Sequence, residues 1–206
     1  MMKQTYYNSL EYSLEHRKKS YVYSDEHLMR RFQNGDENAY ATLVARYKDK
    51  LHNFIYYFVG DKDLAEDLVQ DTMIRLFQKK HYYKEIAKFS TWIYTIARNL
   101  SISELRKNKN RRTFTISEMS KNKPNYDLRD EKLGADRSLE LKYDVEKIKE
   151  VIKRLSKPFR TVIILRDIEN LSYEDISNIE NVPVGTVKSR INRARLQLRR
   201  ELKDIF

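Results

Sequence analysis

Residues 171–195 read LSYEDISNIENVPVGTVKSRINRAR, and their punctuation decides the C-terminal half of the chain. Ser172 stands where a side-chain oxygen can cap a helix, and Asp175, three residues on, can return the hydrogen bond. Leu171 and Ile176 occupy the two positions of a hydrophobic staple. A helix therefore starts at Tyr173, with Ile176 and Ile179 on its inner side. Asn181 tolerates the left-handed backbone of a tight turn, and Pro183 suits the beginning of a second helix. In that second helix Val187, Ile191, Ala194 and Leu198 recur at i, i+4, i+7 and i+11, forming one buried stripe. The opposite arc carries Lys188, Ser189, Asn192, Arg193 and Gln197, flanked by Arg190, Arg195, Arg199 and Arg200. Such side chains reach base edges and phosphates. A cationic helix face on its own is commonly just solvated. Preceded by a capped helix and a turn, it predicts a helix-turn-helix that binds DNA.

Composition points the same way. The 206 residues carry 41 Lys and Arg against 30 Asp and Glu, a formal charge of +11 and a pI near 9.6, which attracts a polyanion. A hydrophobic fraction of 40% beside 34% charged residues favours small helical units over one thick core. Four Gly and three Pro suit helices joined by polar turns and disfavour a sandwich or barrel. The lack of cysteine excludes a disulfide framework and a thiolate metal site. No run of about eighteen apolar residues occurs and the N-terminus lacks the apolar core of a signal peptide, so the expectation is a cytoplasmic protein without membrane insertion.

Along the chain, residues 1–23 are polar and tyrosine-rich and read as a flexible extension. A first domain is expected over 24–107. A short helix with Leu28, Met29 and Phe32 ends at Asn34-Gly35, and Asp36 caps a long one. Tyr40, Leu43, Val44, Tyr47, Leu51, Phe54, Ile55 and Phe58 form its core stripe, aromatics at helical spacing being mostly packing residues, and Gly60 stops it. A third helix is placed near Asp63, with Glu66 in capping-box position. It buries Ala65, Leu68, Val69, Thr72, Met73 and Leu76 and turns outward Glu66, Asp67, Gln70, Asp71 and Ile74. In so basic a chain this acidic stripe reads equally as a protein-binding surface or a solvated face. Next come Tyr83, Lys84, Lys88 and Phe89 in a loop of interleaved aromatic and basic residues, then a helix capped by Ser90. Its inner side is Ile93, Ile96, Ala97, Leu100 and Leu105. Tyr94, Arg98, Asn99, Arg106 and Lys107 can point out, the chemistry that stacks and pairs unstacked bases, whereas Trp92 reads as a packing residue. Periodicity fails over 108–139, a linker, and returns in a second domain over 140–206, where Pro158 opens the helix that leads into the helix-turn-helix. The fold class is all-α, two small helical domains joined by a flexible linker.

LSKPFRTVIILRDIENLSYEDISNIENVPVGTVKSRINRARLQLR (155–199) closely resembles the C-terminal promoter-binding domain, region 4, of bacterial RNA polymerase sigma factors. DLAEDLVQDTMIRLF (63–77) and FSTWIYTIARNLSISELR (89–106) resemble region 2 of the same sigma-70 family. The brief linker makes the resemblance one to the small extracytoplasmic-function (ECF) group. It implies that Asp67, Gln70 and Asp71 bind the clamp helices of the largest subunit of core RNA polymerase. It also implies that the loop 83–89, with Tyr94, Arg98 and Asn99, encloses a base flipped from the minus-ten element. Lys188, Ser189, Asn192, Arg193 and Arg166 would read the minus-thirty-five duplex, and an anti-sigma partner is common in the group. The chain departs from the family at Glu85, Ile86 and Lys88, where small residues are usual, and at Glu180-Asn181, where Leu-Gly is usual. Promoter binding of this kind needs no cofactor, no metal and no covalent chemistry. Two other classes stand beside it. A dimeric helix-turn-helix regulator would seize a palindrome without polymerase. A nuclease would need Glu66, Asp67 and Asp71 on a metal, yet His16, His27, His52 and His81 are scattered and no ligand spacing appears.

Overall fold

The computed structural model describes residues 23–115 and 147–203, and all regular structure among them is helical. Helix α1 (Asp25–Gln33) is capped by Ser24, whose side chain accepts from the His27 amide. Helix α2 (Glu37–Val59) is capped by Asp36, which accepts from the Asn38 and Ala39 amides, and ends on Gly60 at φ +82°. That left-handed conformation carries no penalty in glycine. Helix α3 (Lys62–Gln78) starts earlier than expected. Asp61, not Asp63, supplies the cap, accepting from the Leu64 amide. Its six expected core residues, Ala65 to Leu76, are all buried. A single 3-10 turn (Lys80–Tyr82) follows.

Helix α4 (Phe89–Thr115) corrects the sequence reading at both ends. It begins at Phe89, so Ser90 lies inside it, and the Phe89 amide donates to Glu26 Oε1 at 3.0 Å. A carboxylate from α1 thus satisfies the positive end of α4 across space. It also runs eight residues past Lys107 into the expected linker. An apolar stripe is needed to bury a helix, not to extend one already nucleated. The expected extension at 1–22 and the remainder of the expected linker lie outside the described residues.

Residues 147–154 form helix α5, and Pro158 sits in the first turn of α6 (Lys157–Ile163) as expected. The backbone then widens to a π-turn over Ile164–Ile168, closed by the Glu169 amide donating to the Ile164 carbonyl. Helices α7 (Tyr173–Glu180) and α8 (Val184–Lys203) are the helix-turn-helix. The reciprocal Ser172–Asp175 capping box is present, Asn181 is left-handed at φ 53°, and Val187, Ile191 and Ala194 are buried.

The two modules do not hang apart on a tether, as the sequence suggested. They share one continuous core, in which α2 meets α6 and α4 meets α7. Arg160 donates from Nη1 to the Tyr57 carbonyl at 2.8 Å and from Nη2 to the carbonyls of Lys153 and Leu155, while Lys153 Nζ donates to the Tyr56 hydroxyl at 2.8 Å. Tyr57, outside the predicted stripe, is buried at this seam, whereas Tyr40, Val44 and Phe58 of the stripe are only partly buried. The outward placing of Tyr94 is overturned within the first module: Tyr94 is 1% exposed and its ring packs edge-on to Phe54 and Tyr47 of α2. The Tyr94 hydroxyl lies beside Glu169 outside ordinary hydrogen-bond geometry. Burial, with that acidic neighbour, pushes its pKa far up.

Two stability outcomes follow from this packing. Leu43 is fully enclosed, so Leu43→Ala should cost about 2–5 kcal/mol in denaturant unfolding, the usual range for a cavity of that size. Tyr94→Phe should leave stability unchanged or raise it by about 1 kcal/mol, because it deletes a buried hydroxyl that lacks a partner. A clear loss in the same urea titration would mean the hydroxyl is bonded after all.

Candidate nucleic-acid interface

The recognition arc of α8 is built as its sequence period dictates. Val187, Ile191 and Ala194 face inward, and Lys188, Ser189, Asn192 and Arg193 are exposed side by side on the opposite surface. Ser189 Oγ donates to the Thr186 carbonyl, leaving its lone pairs outward. Arg166 is only partly exposed. It donates to the Leu171 carbonyl at 2.7 Å and lies 4.8 Å over the Tyr173 ring, so its first task here is to brace the entry to α7. Lys188 shares that ring at 5.8 Å. Gln197, read as outward, is half-buried and donates to Glu201.

The loop before α4 is organised from beneath. Gln33 Nε2 donates to the carbonyls of Lys80 (2.7 Å) and Tyr83 (3.0 Å), and the Tyr83 hydroxyl donates to the Ala87 carbonyl at 2.8 Å. Tyr83 and Phe89 are buried against each other and Trp92, which confirms the packing role of Trp92 and denies Tyr83 and Phe89 the exposed position expected of them. Burial first, then Glu26, Glu85 and Asp25, push the Tyr83 phenol up to about 12. What the loop shows to solvent is Tyr82, Lys84, Glu85, Ile86, Ala87 and Lys88, with Ile86 90% exposed. Asn99 is also exposed.

Two cations of the expected single-strand surface, Lys88 just before α4 and Arg98 within it, already have carboxylate partners. Lys88 Nζ lies 2.9 Å from Asp175 Oδ2, and Thr91 Oγ1 donates to Asp175 Oδ1 at 2.8 Å. Arg98 donates from Nε to Glu180 Oε1 at 2.7 Å and from Nη2 to the Glu180 carbonyl at 3.2 Å. Glu180 also faces Arg190 of α8 at 3.6 Å. Burial would push the Asp175 carboxyl up, but Lys88, Ser172 and Thr91 together hold it below the usual carboxylate range. The stability it contributes is therefore present above that range and lost as pH falls through it. Glu169 behaves oppositely, raised by burial despite Tyr94 and Lys50. Its ionised form opposes the packing, and protonation favours it. Thr91 and Glu180 were not foreseen as interface residues. The one available signal was Glu180 itself, an acid where the turn of the resembled family has an apolar residue.

On α3, Glu66, Asp67, Gln70 and Asp71 are exposed in a row that continues into the exposed Ile74 and Phe77. Among the described residues no three His, Asp or Glu side chains converge as a metal site requires, and no helix is long and apolar enough to cross a membrane.

Comparison with known proteins gives these surfaces a family. Residues 43–111 match the model of sigma-70 region 2, and residues 146–198 that of sigma-70 region 4. The chain is 35% identical over 196 residues to the ECF RNA polymerase sigma factor SigW of Bacillus subtilis, covering 86% of this chain and 96% of the relative. It is 33% identical over 188 residues to the ECF sigma-E factor of Haemophilus influenzae, covering 89% and 97%. Among solved structures it resembles the sigma factor RpoE of Bartonella quintana, crystallised with the anti-sigma factor NepR. There the TM-score is 0.63 and the identity 28%, over 79% of this chain and 96% of that one. Both modules, in the same order and over nearly the whole of these relatives, make the chain a member of the ECF group of sigma-70 factors, the proteins that direct promoter-specific initiation of transcription.

Proposed function

We propose that this sigma factor divides promoter recognition between its modules, 24–107 and 140–206. The α8 arc reads the minus-thirty-five duplex through Lys188, Ser189, Asn192 and Arg193. The α4 face and the loop before it receive melted minus-ten bases through Lys84, Lys88, Arg98 and Asn99, while Tyr83, Phe89 and Tyr94 shape that surface from below. The observation that carries the reading is the α8 arc: four adjacent donor or amide side chains, exposed and opposite a fully buried stripe. That arrangement suits major-groove entry by a recognition helix. Arg166 joins the contact set once released from the Leu171 carbonyl.

The acidic row Asp67, Gln70 and Asp71, with Ile74 beside it, docks on the clamp helices of the polymerase's largest subunit. Like charge keeps that row off the DNA backbone and complementary charge draws it to a basic protein surface. The exposed loop residues Glu85 and Ile86 set the base preference. Unstacking costs a few kcal/mol per base, so opening requires pocket and polymerase contacts together, and the chain itself performs no covalent step. It acts in the cytoplasm, where the chromosome is. An anti-sigma protein as regulator is supported by the Bartonella quintana neighbour, which was crystallised with one.

Run-off transcription with purified core polymerase on a genomic promoter library tests the whole reading. Start sites dependent on the chain, each with two unequal upstream elements, are expected. Their absence would refute it. Asn192→Ala and Arg193→Ala should each weaken selection at the upstream element by about 1–3 kcal/mol, the worth of a good base contact, and unchanged promoter choice would remove the assignment. Asp71→Ala should reduce co-purification with core polymerase while leaving the fold intact, and normal assembly would count against the α3 surface.

A further inference from the structure

Resting on the assignment of Arg166 and Lys188 to the minus-thirty-five duplex, we propose that Tyr173 is the positioning residue for that contact. Its ring gathers both cations and holds them ready for DNA. Tyr173 is the first residue of α7, directly after the Ser172 cap, so the capping box fixes its backbone. Its side chain is half-buried and packs against the shared core, which anchors the ring. Two cations from different elements converge on it. The Arg166 guanidinium carbon, from the π-turn, lies 4.8 Å from the ring centroid, and Lys188 Nζ, from the recognition helix, lies 5.8 Å from it. Both stand within the range at which the negative face of an aromatic ring attracts a cation.

A ring suits this task better than an acid. Like charges gathered in one place repel, and the ring offsets that repulsion while leaving both cations their full charge for DNA. A carboxylate would compete with DNA for them, as Asp167 does for Arg195, which it grips at 2.5 and 3.2 Å. Arg and Lys side chains also lose rotamer freedom when they bind, and a ring that restricts them beforehand lowers that cost. It occupies none of their N–H donors. Arg166 spends one on the Leu171 carbonyl, out of the five a guanidinium carries, and Lys188 is exposed. Placement is set as well: Arg166 comes from before the helix-turn-helix and Lys188 from α8, so the ring fixes the π-turn's cation relative to the recognition arc. Tyr173 thus tunes upstream recognition without touching a base.

The test uses core polymerase reconstituted with the full chain. The probe is a promoter duplex recovered by the run-off experiment, whole or with its upstream element cut away, and initial binding is measured apart from the rate of opening. Tyr173→Leu should weaken initial binding to the whole promoter about fivefold, the worth of two exposed cation–π contacts, and leave binding to the truncated one unchanged. Tyr173→Phe keeps the ring and should bind within about twofold of the unmodified chain. A thermal melt by circular dichroism checks the fold of each. Because losing a packed ring can itself disturb α7, the deciding series places phenylalanine, trifluorophenylalanine and pentafluorophenylalanine at position 173. These pack alike while fluorine drains the negative face of the ring. Binding should fall stepwise with fluorination, and stay level when Arg166→Gln and Lys188→Gln are present together. A flat series in the unmodified background overturns the brace, as does an equal fall in the double variant. If the double variant itself still binds the whole promoter more weakly than the unmodified chain, such a result removes the brace alone. If it binds equally tightly, the assignment of both cations to the duplex falls and the brace with it.

Discussion

The Asp175 carboxylate has two obligations that the rest of the arrangement depends on. It returns the hydrogen bond of the Ser172 capping box, which starts the first helix of the helix-turn-helix, and it accepts from Lys88 and Thr91 of the other module. Local folding of the DNA-reading unit and its seating against the N-terminal half thus use the same two oxygens. An ordinary cap is satisfied within its own helix. Here Asp175, the acid that completes the capping box, is also a lock between modules, and the acid that terminates α7, Glu180, is the second.

Energetics assign these contacts a role in placement more than in stability. Removing the charges of Arg98 and Glu180 from water costs about as much as their mutual attraction returns, and Lys88, largely exposed, contributes little on its own. The driving force for docking is the apolar surface that Ile164, Leu165, Ile176 and Ile179 share with the helices of the first module. The ion pairs favour the register in which that surface is buried, since a shifted α7 would leave the enclosed Glu180 with Arg190 alone in place of two cations. A chain with an excess of eleven positive charges nevertheless places two acids, Asp175 and Glu180, at this internal seam.

Much of the fold was legible in the chain because the signals were local. Caps at Asp36 and Ser172, stops at Gly60 and Asn181, and the apolar period of α3 and α8 are read over three or four residues and hold in the structure. The recognition arc of α8 was legible for the same reason, as the complement of a buried stripe. What failed was everything decided at long range. Tyr94 reads as outward on an isolated α4, but its ring is buried against Tyr47 and Phe54 of α2, with Glu169 of the other module beside its hydroxyl. Glu26 caps a helix sixty-three residues away, which no local pattern announces. The length of α4 was underestimated because the loss of an apolar stripe marks the end of burial, not of helix.

The loop ahead of α4 holds its shape through atoms that every amino acid has. Gln33 grips two main-chain carbonyls and Tyr83 a third, while the side chains of Lys84 and Ile86 are exposed and Glu85 meets the scaffold only at the exposed Arg30, 3.5 Å away. Positions whose identity the backbone ignores can be exchanged at almost no cost to folding. Such a segment is therefore free to diversify, and descendants of one ancestral chain could acquire new promoter vocabularies by rewriting three letters while the frame that presents them stays the same.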